Sequence, residues 1–284
     1  SQYCQAYYGK QTETDGTDRA LKETEGLVAL YGGEPILALY SSSHGGHSED
    51  FANAFSDSET KLFPARPIPY LSAKPDVPEA AGRFGDLRDE ENARAFWTRR
   101  DVPSYDVKSG YHRWERTWER GELEAVLDQT LADLAKDAFT RPYLQPGFGP
   151  GESVGTLESI RVTHRGRSGK AMQVEVVGTG GTWTLAKEYL IRRAFRKEGK
   201  MLPSANLVFT LLGTAPGRLA KVVANGGGFG HGVGMSQYGA SYLDGLGRRF
   251  DEILRHYYQG VALGTIPLLA HPDATLETRF YGRP

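Results

Sequence analysis

Residues 226–240 read GGGFGHGVGMSQYGA, seven glycines in fifteen positions with His231, Ser236, Gln237 and Tyr238 set among them. Glycine costs more to order than other residues, so a run this dense marks a backbone that must bend or lie bare. A phosphate cradle ahead of a helix is the first chemistry to test. The spacing argues against it. No GK[ST] follows, and no G-x-G-x-x-G can be placed in 226–234, because its last position falls on His231, Val233 or Met235. Two readings remain. Either the loop lets a helix pack closely on a sheet, or its backbone and polar side chains meet a substrate rich in hydroxyls and amides. On the second reading His231, Ser236 and Gln237 bind or orient that substrate, and Tyr238 holds the loop against the core beside them.

Two further stretches carry chemistry. SSSHGGHSED (41–50) places Ser41 to Ser43 and two histidines, His44 and His47, in a polar, glycine-bent loop. Ser41, Ser42 and His47 suit sugar hydroxyls or a metal, and Glu49 could face a cleft. The plainer reading is solvated histidines and a solvated carboxylate. In SGYHRWERTWERGELEAVL (109–127), Tyr111, Trp114 and Trp118 lie near Arg113, Arg116 and Arg120. Ring faces flanked by donors would make a sugar-stacking wall with Tyr111 and Arg113 in it. Two tryptophans four apart are equally packing residues. No H-E-x-x-H or comparable open zinc set supports a zinc hydrolase.

The elements that must position these groups follow from periodicity. GLVALYGGEPILALY (26–40) predicts a hairpin around Gly32-Gly33. RDEENARAFWTRR (88–100) predicts a charged, exposed helix. In 122–139, Leu123, Val126, Leu127, Leu131 and Leu134 recur at helical spacing. The proline- and glycine-rich segment 141–153 predicts a long loop between two halves, 1–145 and 146–284, of one functional unit. Strands are expected over 157–164, 171–178, 182–187, 206–213 and 218–226, and helices over 235–246 and 250–263. This order lacks βαβ regularity, so the expected class is α+β: largely antiparallel sheets with flanking helices, in two subdomains forming a cleft. The 284 residues, 39% hydrophobic and 24% charged, suit a globular chain with a sizeable core. A formal charge of −1 gives no global attraction for nucleic acid. Cys4 is the only cysteine, so no internal disulfide forms. The chain opens on Ser1 and reads as a processed or trimmed product.

GGGFGHGVGMSQYGA resembles the C-terminal signature of the sporulation stage II protein D (SpoIID/LytB) family. DEILRHYYQGVAL (251–263) resembles its closing helix. QAYYG (5–9), residues 20–50, PYLSAKPD (69–76), IRVTHRGRSGKAMQVEV (160–176), Ile191-Arg192 and LPSANLVF (202–209) follow the family's blocks in order. The resemblance covers about residues 2–263. It implies an exported, cell-envelope lytic transglycosylase acting on peptidoglycan glycan strands, with other cell-wall hydrolases as partners. Such an enzyme cleaves between N-acetylmuramic acid and N-acetylglucosamine without water. One carboxylic acid protonates the leaving oxygen and then takes the proton of the sugar's C6 hydroxyl, leaving a 1,6-anhydro end. The family's acid precedes the Q.Y.G block, so its counterpart is expected upstream of Ser1. The alternative is a non-catalytic glycan binder or modifier of a cell-wall amidase. The resemblance also implies one structural zinc, with Cys4 and His44 at the family's ligand positions and His47 a possible third. A buried, unliganded cysteine is the competing reading.

Overall fold

The structure, a computed structural model, describes residues 13–80, 82–215 and 218–265. Cys4 lies outside the described residues. Along the chain run α1 (Asp15–Glu23), β1 (Leu27–Tyr31), β2 (Glu34–Pro35), β3 (Tyr40–Ser41), α2 (Phe51–Ala54) and α3 (Glu90–Thr98). Then come β4 (Trp114–Glu119), α4 (Arg120–Lys136), β5 (Leu144–Gln145), β6 (Leu157–Arg165), β7 (Ala171–Gly178), β8 (Gly181–Ala186) and α5 (Glu188–Ala194). β9 (Leu207–Ala215), β10 (Arg218–Gly226), β11 (Met235–Ser236), α6 (Gln237–Gly245), α7 (Phe250–Tyr257) and β12 (Ala262–Thr265) complete the order. The fold is α+β, and its sheets are antiparallel except where β3 pairs with β11.

The chain divides into two units, Ser1–Leu37 with Val261–Pro284, and Ala38–Gly260. The division expected at 145/146 falls inside the larger of them. There β5 closes a pairing with β8, which ties the two sides of that boundary together. In the smaller unit the sheet order is β12-β1-β2. Gly32 and Gly33, at φ 60° and 89°, form the two-residue turn of the expected hairpin. The returning strand is only two residues long, because Tyr40 and Ser41 pair with β11 instead. A reciprocal cap between Thr14 and Thr17 starts α1, which buries none of its residues.

In the larger unit two sheets, β5-β8-β7-β6 and β4-β10-β9, share a core with α4 and α5. Leu123, Leu127, Leu131 and Leu134 fall on one face of α4, each at most 1% exposed. At three- to four-residue spacing they meet the core as one stripe. Trp183 and Leu185 alternate inward along β8, and Val174 and Val176 along β7, the period of a half-buried strand. Trp114 and Trp118 are both core residues, on the same face of β4. That removes the tryptophans from the expected sugar wall. The exposed helix expected over 88–100 is also corrected. Asp89 caps α3 through the Glu91 and Asn92 amides, and the helix buries Ala93, Phe96 and Trp97. Three apolar residues on one face outweigh the charges on the other.

Candidate functional site

Loop 41–50 and the glycine stretch, far apart in sequence, lie against each other. β3 pairs in parallel with β11, so Met235 stands beside Tyr40 and Ser236 beside Ser41. Phe229 N–H donates to Ser43 O at 2.8 Å, and Ser43 N–H to Phe229 O at 3.3 Å. Glu49 N–H donates to Gly232 O, and Tyr238 N–H to Ser42 O. The glycines are explained by this contact. A Cβ on Gly45 would sit 2.8 Å from the Gly227 carbonyl carbon. One on Gly228 would sit 2.7 Å from Ser43 O, at a φ of +83° that itself favours glycine. Gly226 faces Trp114 across the β10–β4 ladder and is filled by that ring. What approaches these glycines most closely is the protein's own backbone and side chains, so the expectation that they lie bare to a substrate is corrected.

Asp106 organises the junction. Its side chain is fully buried, and Oδ2 accepts from Ser43 Oγ (2.9 Å), His44 N–H (2.5 Å), Gly45 N–H (3.0 Å) and Ser236 Oγ (3.3 Å). Oδ1 accepts from Ser104 Oγ at 2.5 Å and His112 Nδ1 at 3.2 Å. Burial alone would raise this carboxyl's pKa. Hydrogen bonds from His112 and Ser104, and the nearby His44 and His112 rings, hold it well below the usual range. Asp76 plays a similar part beside it, accepting from Tyr105 N–H, Ser104 Oγ and the Tyr257 hydroxyl. Neither aspartate carries a local signal in the sequence, because most of the groups they hold come from elsewhere in the chain.

The family described as Domain of unknown function (DUF8618) matches residues 57–234, a span that contains both aspartates and most of the glycine stretch. The chain belongs to this family. It is similar to the amidase enhancer of Bacillus subtilis (strain 168), with 27% identity over 270 residues, 90% of this chain and 34% of that protein. Over 34 residues it is 65% identical to the stage II sporulation protein D of Bacillus amyloliquefaciens, covering 12% of this chain and 10% of that protein. The Bacillus subtilis (strain 168) protein of the same name is 56% identical over 36 residues, 13% of this chain and 10% of its own. The chain is thus SpoIID-like, and it spans about a third of the amidase enhancer's length and a tenth of each stage II sporulation protein D.

In this SpoIID-like, DUF8618 chain the expected site residues separate into two groups. The first is consumed by the fold. Glu49 is 1% exposed, not cleft-facing: it accepts from the Asp50, Arg167 and Ser168 amides, the Ser168 hydroxyl and the Asn53 amide. It therefore pins the β6–β7 turn to loop 41–50. Ser236 is buried and caps α6 by accepting from Gly239 N–H, so it is not a free substrate contact. Arg113 spends its guanidinium on the carbonyls of Gly45, Phe96, Arg99 and His112, over the rings of Phe96 and Trp97, which takes it out of a sugar wall. Ser41 is buried as well. His44 is fully buried, with its ring edge-on to Tyr257 and neither nitrogen hydrogen-bonded among the described residues. Among those residues no group of three or more His, Cys, Asp or Glu is placed to hold a metal. The described residues thus gather no ligand set for a zinc at His44.

The second group reaches the surface. Tyr238 is 45% exposed, so its backbone, not its ring, ties the loop. Tyr111 (40%) and Phe229 (39%) are exposed and touch, ring centroids 4.7 Å apart. Gln237 is exposed and Ser42 half-buried. Phe229, a ring inside a glycine run, is the residue that sequence reasoning missed here. His47 and His231 are part-exposed and differ in tautomer. His47 Nδ1 faces Ser48 O at 2.7 Å and must donate, leaving Nε2 as an acceptor. His231 Nδ1 accepts Val233 N–H at 3.1 Å, leaving an Nε2–H donor. Burial lowers both rings' proton affinity, His231 to about 4, with Lys170, His44 and Arg192 adding to the effect and Glu188 opposing it.

These shifts set a pH dependence. A His ring with a depressed folded pKa contributes its full stability above the unfolded value, about 6.5. As pH falls from there toward 4 the unfolded chain takes up protons first, and stability is lost. The thermal midpoint is expected to fall between pH 6.5 and 4.5, and His231→Gln to flatten that fall. An unchanged slope in the variant would show that another group sets it.

Proposed function

We propose that this chain grips the glycan strands of peptidoglycan, as the strand-holding part of a lytic transglycosylase. The observation that carries the reading is the exposed ring pair of Tyr111 and Phe229 at the junction of the two loops, where Phe229 pairs with Ser43 and Tyr238 N–H donates to Ser42 O. Exposed rings flanked by amide and hydroxyl groups match a pyranose, which offers an apolar face and a rim of hydroxyls. The names of the relatives, stage II sporulation protein D and amidase enhancer, support a role at the cell wall, and hence outside the cytoplasm. Transglycosylation needs a proton-donating carboxyl near the scissile oxygen. Glu49, Asp76 and Asp106 are each buried under hydrogen bonds to the fold, so none of the three fills that role. A second reading, a non-cutting glycan binder that modifies a cell-wall amidase, is supported by the amidase-enhancer similarity.

Incubating peptide-free glycan strands with the full-length protein separates these. Retention of strands with new 1,6-anhydro ends by mass spectrometry is the first reading, and retention without cleavage is the second. Tyr111→Ala and Phe229→Ala are each expected to weaken retention about tenfold, the loss of one ring contact of ~1.4 kcal/mol. Both side chains are exposed, so the thermal midpoint should move little. Retention unaffected by either change would remove the junction from the site.

A further inference from the structure

A cavity of about 410 Å³ opens beside His47, lined by Lys74, Arg88 and Arg167 around the rings of Phe84 and Phe96. We propose that it is a carboxylate-binding subsite, and that it seats the acidic substituent of an amino-sugar ring.

The charge balance is the basis. Three cations line the cavity against one acid, Asp86. Arg88 is matched, holding both oxygens of Asp86 with its guanidinium. The other two are not matched in the same way. Lys74 is part-buried and donates to the His256 carbonyl, a neutral group, and among the described residues it has no ion pair. Burial accordingly lowers its proton affinity, against the pull of Asp76 behind it. A part-buried ammonium with no carboxylate in direct contact is costly, and an anion entering the cavity would relieve that cost. Arg167 keeps a single contact, 3.5 Å from Asp50, and its side chain is 56% exposed, so its fork remains available to a planar carboxylate. Its backbone N–H donates to Glu49, which anchors the residue beside the cavity.

The remaining lining suits the rest of such a ligand. Burial disfavours the charged form of His47, and with Nδ1 donating to Ser48 O its Nε2 lone pair can accept a hydroxyl. Phe84 is part-exposed and offers a ring edge or face to a sugar. The volume lies within the range of small-molecule sites. The identity of the carrier rests on the glycan reading above, and the carboxylate then has two sources. One is the lactyl group of N-acetylmuramic acid, and the other is a carboxylate of an attached peptide.

Three ligands titrated into the full-length protein test this, followed by NMR of the His47 ring and the Arg167 side chain. N-acetylmuramic acid is expected to bind at least tenfold more tightly than N-acetylglucosamine, which has the same ring without the lactyl group. Arg167→Gln and Lys74→Met should each bring the first ligand to within threefold of the second and leave the second unchanged. Arg167 is largely exposed, so its variant keeps the test valid if Lys74→Met unfolds. Muramyl dipeptide, whose lactyl carboxyl is an amide, identifies the source: binding at the muramic acid level assigns the peptide carboxylate, and loss to the glucosamine level assigns the lactyl one. Equal binding of the two monosaccharides, or no response to Arg167→Gln, overturns the proposal. Long strands retained under that result would leave the glycan reading intact, while muramic acid bound by a protein that retains no strands would overturn that reading alone.

Discussion

Asp106→Asn is expected to destabilise the protein by about 3–5 kcal/mol, the range for removing one partner from a buried charged network. Two backbone amides and two hydroxyls converge on Oδ2, and a hydroxyl and an imidazole on Oδ1. A carboxylate accepts on both sides. An amide accepts on one and must turn its NH₂ toward donors on the other, leaving buried groups unsatisfied. At this size each kcal/mol lowers the thermal midpoint by about 2–4 °C, so a drop on the order of 10 °C is expected. Chemical denaturation of the pair of proteins measures it. A cost under about 1 kcal/mol would mean that the junction is held by its backbone pairing alone.

The second large effect is expected at Gly228. Alanine there would occupy left-handed backbone at φ +83° and place its Cβ against the Ser43 carbonyl. The conformation costs roughly 1–2 kcal/mol by itself. The contact adds to that because backbone, not a flexible side chain, must give way, so a total above about 3 kcal/mol is expected. Gly199→Ala is the matched control: its φ is +73°, yet nothing lies within 4 Å of the added carbon. It should cost only the conformational part. Equal losses at the two sites would show that the glycine run answers to backbone conformation and not to close approach.

These two residues also show what the sequence can disclose. Most elements were readable because their signal is local: the leucine stripe of α4, the alternation along β7 and β8, the Gly32-Gly33 turn. The need for glycine at 226–234 was equally plain, but its causes lay in distant segments, loop 41–50 among them. Asp106 has no such mark, since Ser43 and Ser236 reach it from 63 residues before and 130 after. Glu49 was misread for the same reason. A glutamate among serines and histidines looks solvated until Ser168, 119 positions away, is folded onto it. Trp114 and Trp118 looked suited to sugar, and only the β4–β10 pairing turns both inward.

The pairing of Ser43 with Phe229 spans roughly 190 residues, a distance that polymer entropy penalises only logarithmically. Almost none of that closure falls to the junction. The sheets and helices of the larger unit's core lie between the two segments in the chain, and their packing holds the segments near each other. The junction therefore relies on the packed core for its closure and adds its own bonds on top of it. A chain with its core closed and this seam still open would have its sheets paired, with water in place of Ser43 and Ser236 on the Asp106 carboxylate. Loss of the seam would then remove the ring pair and the loops while leaving most of the folded mass intact.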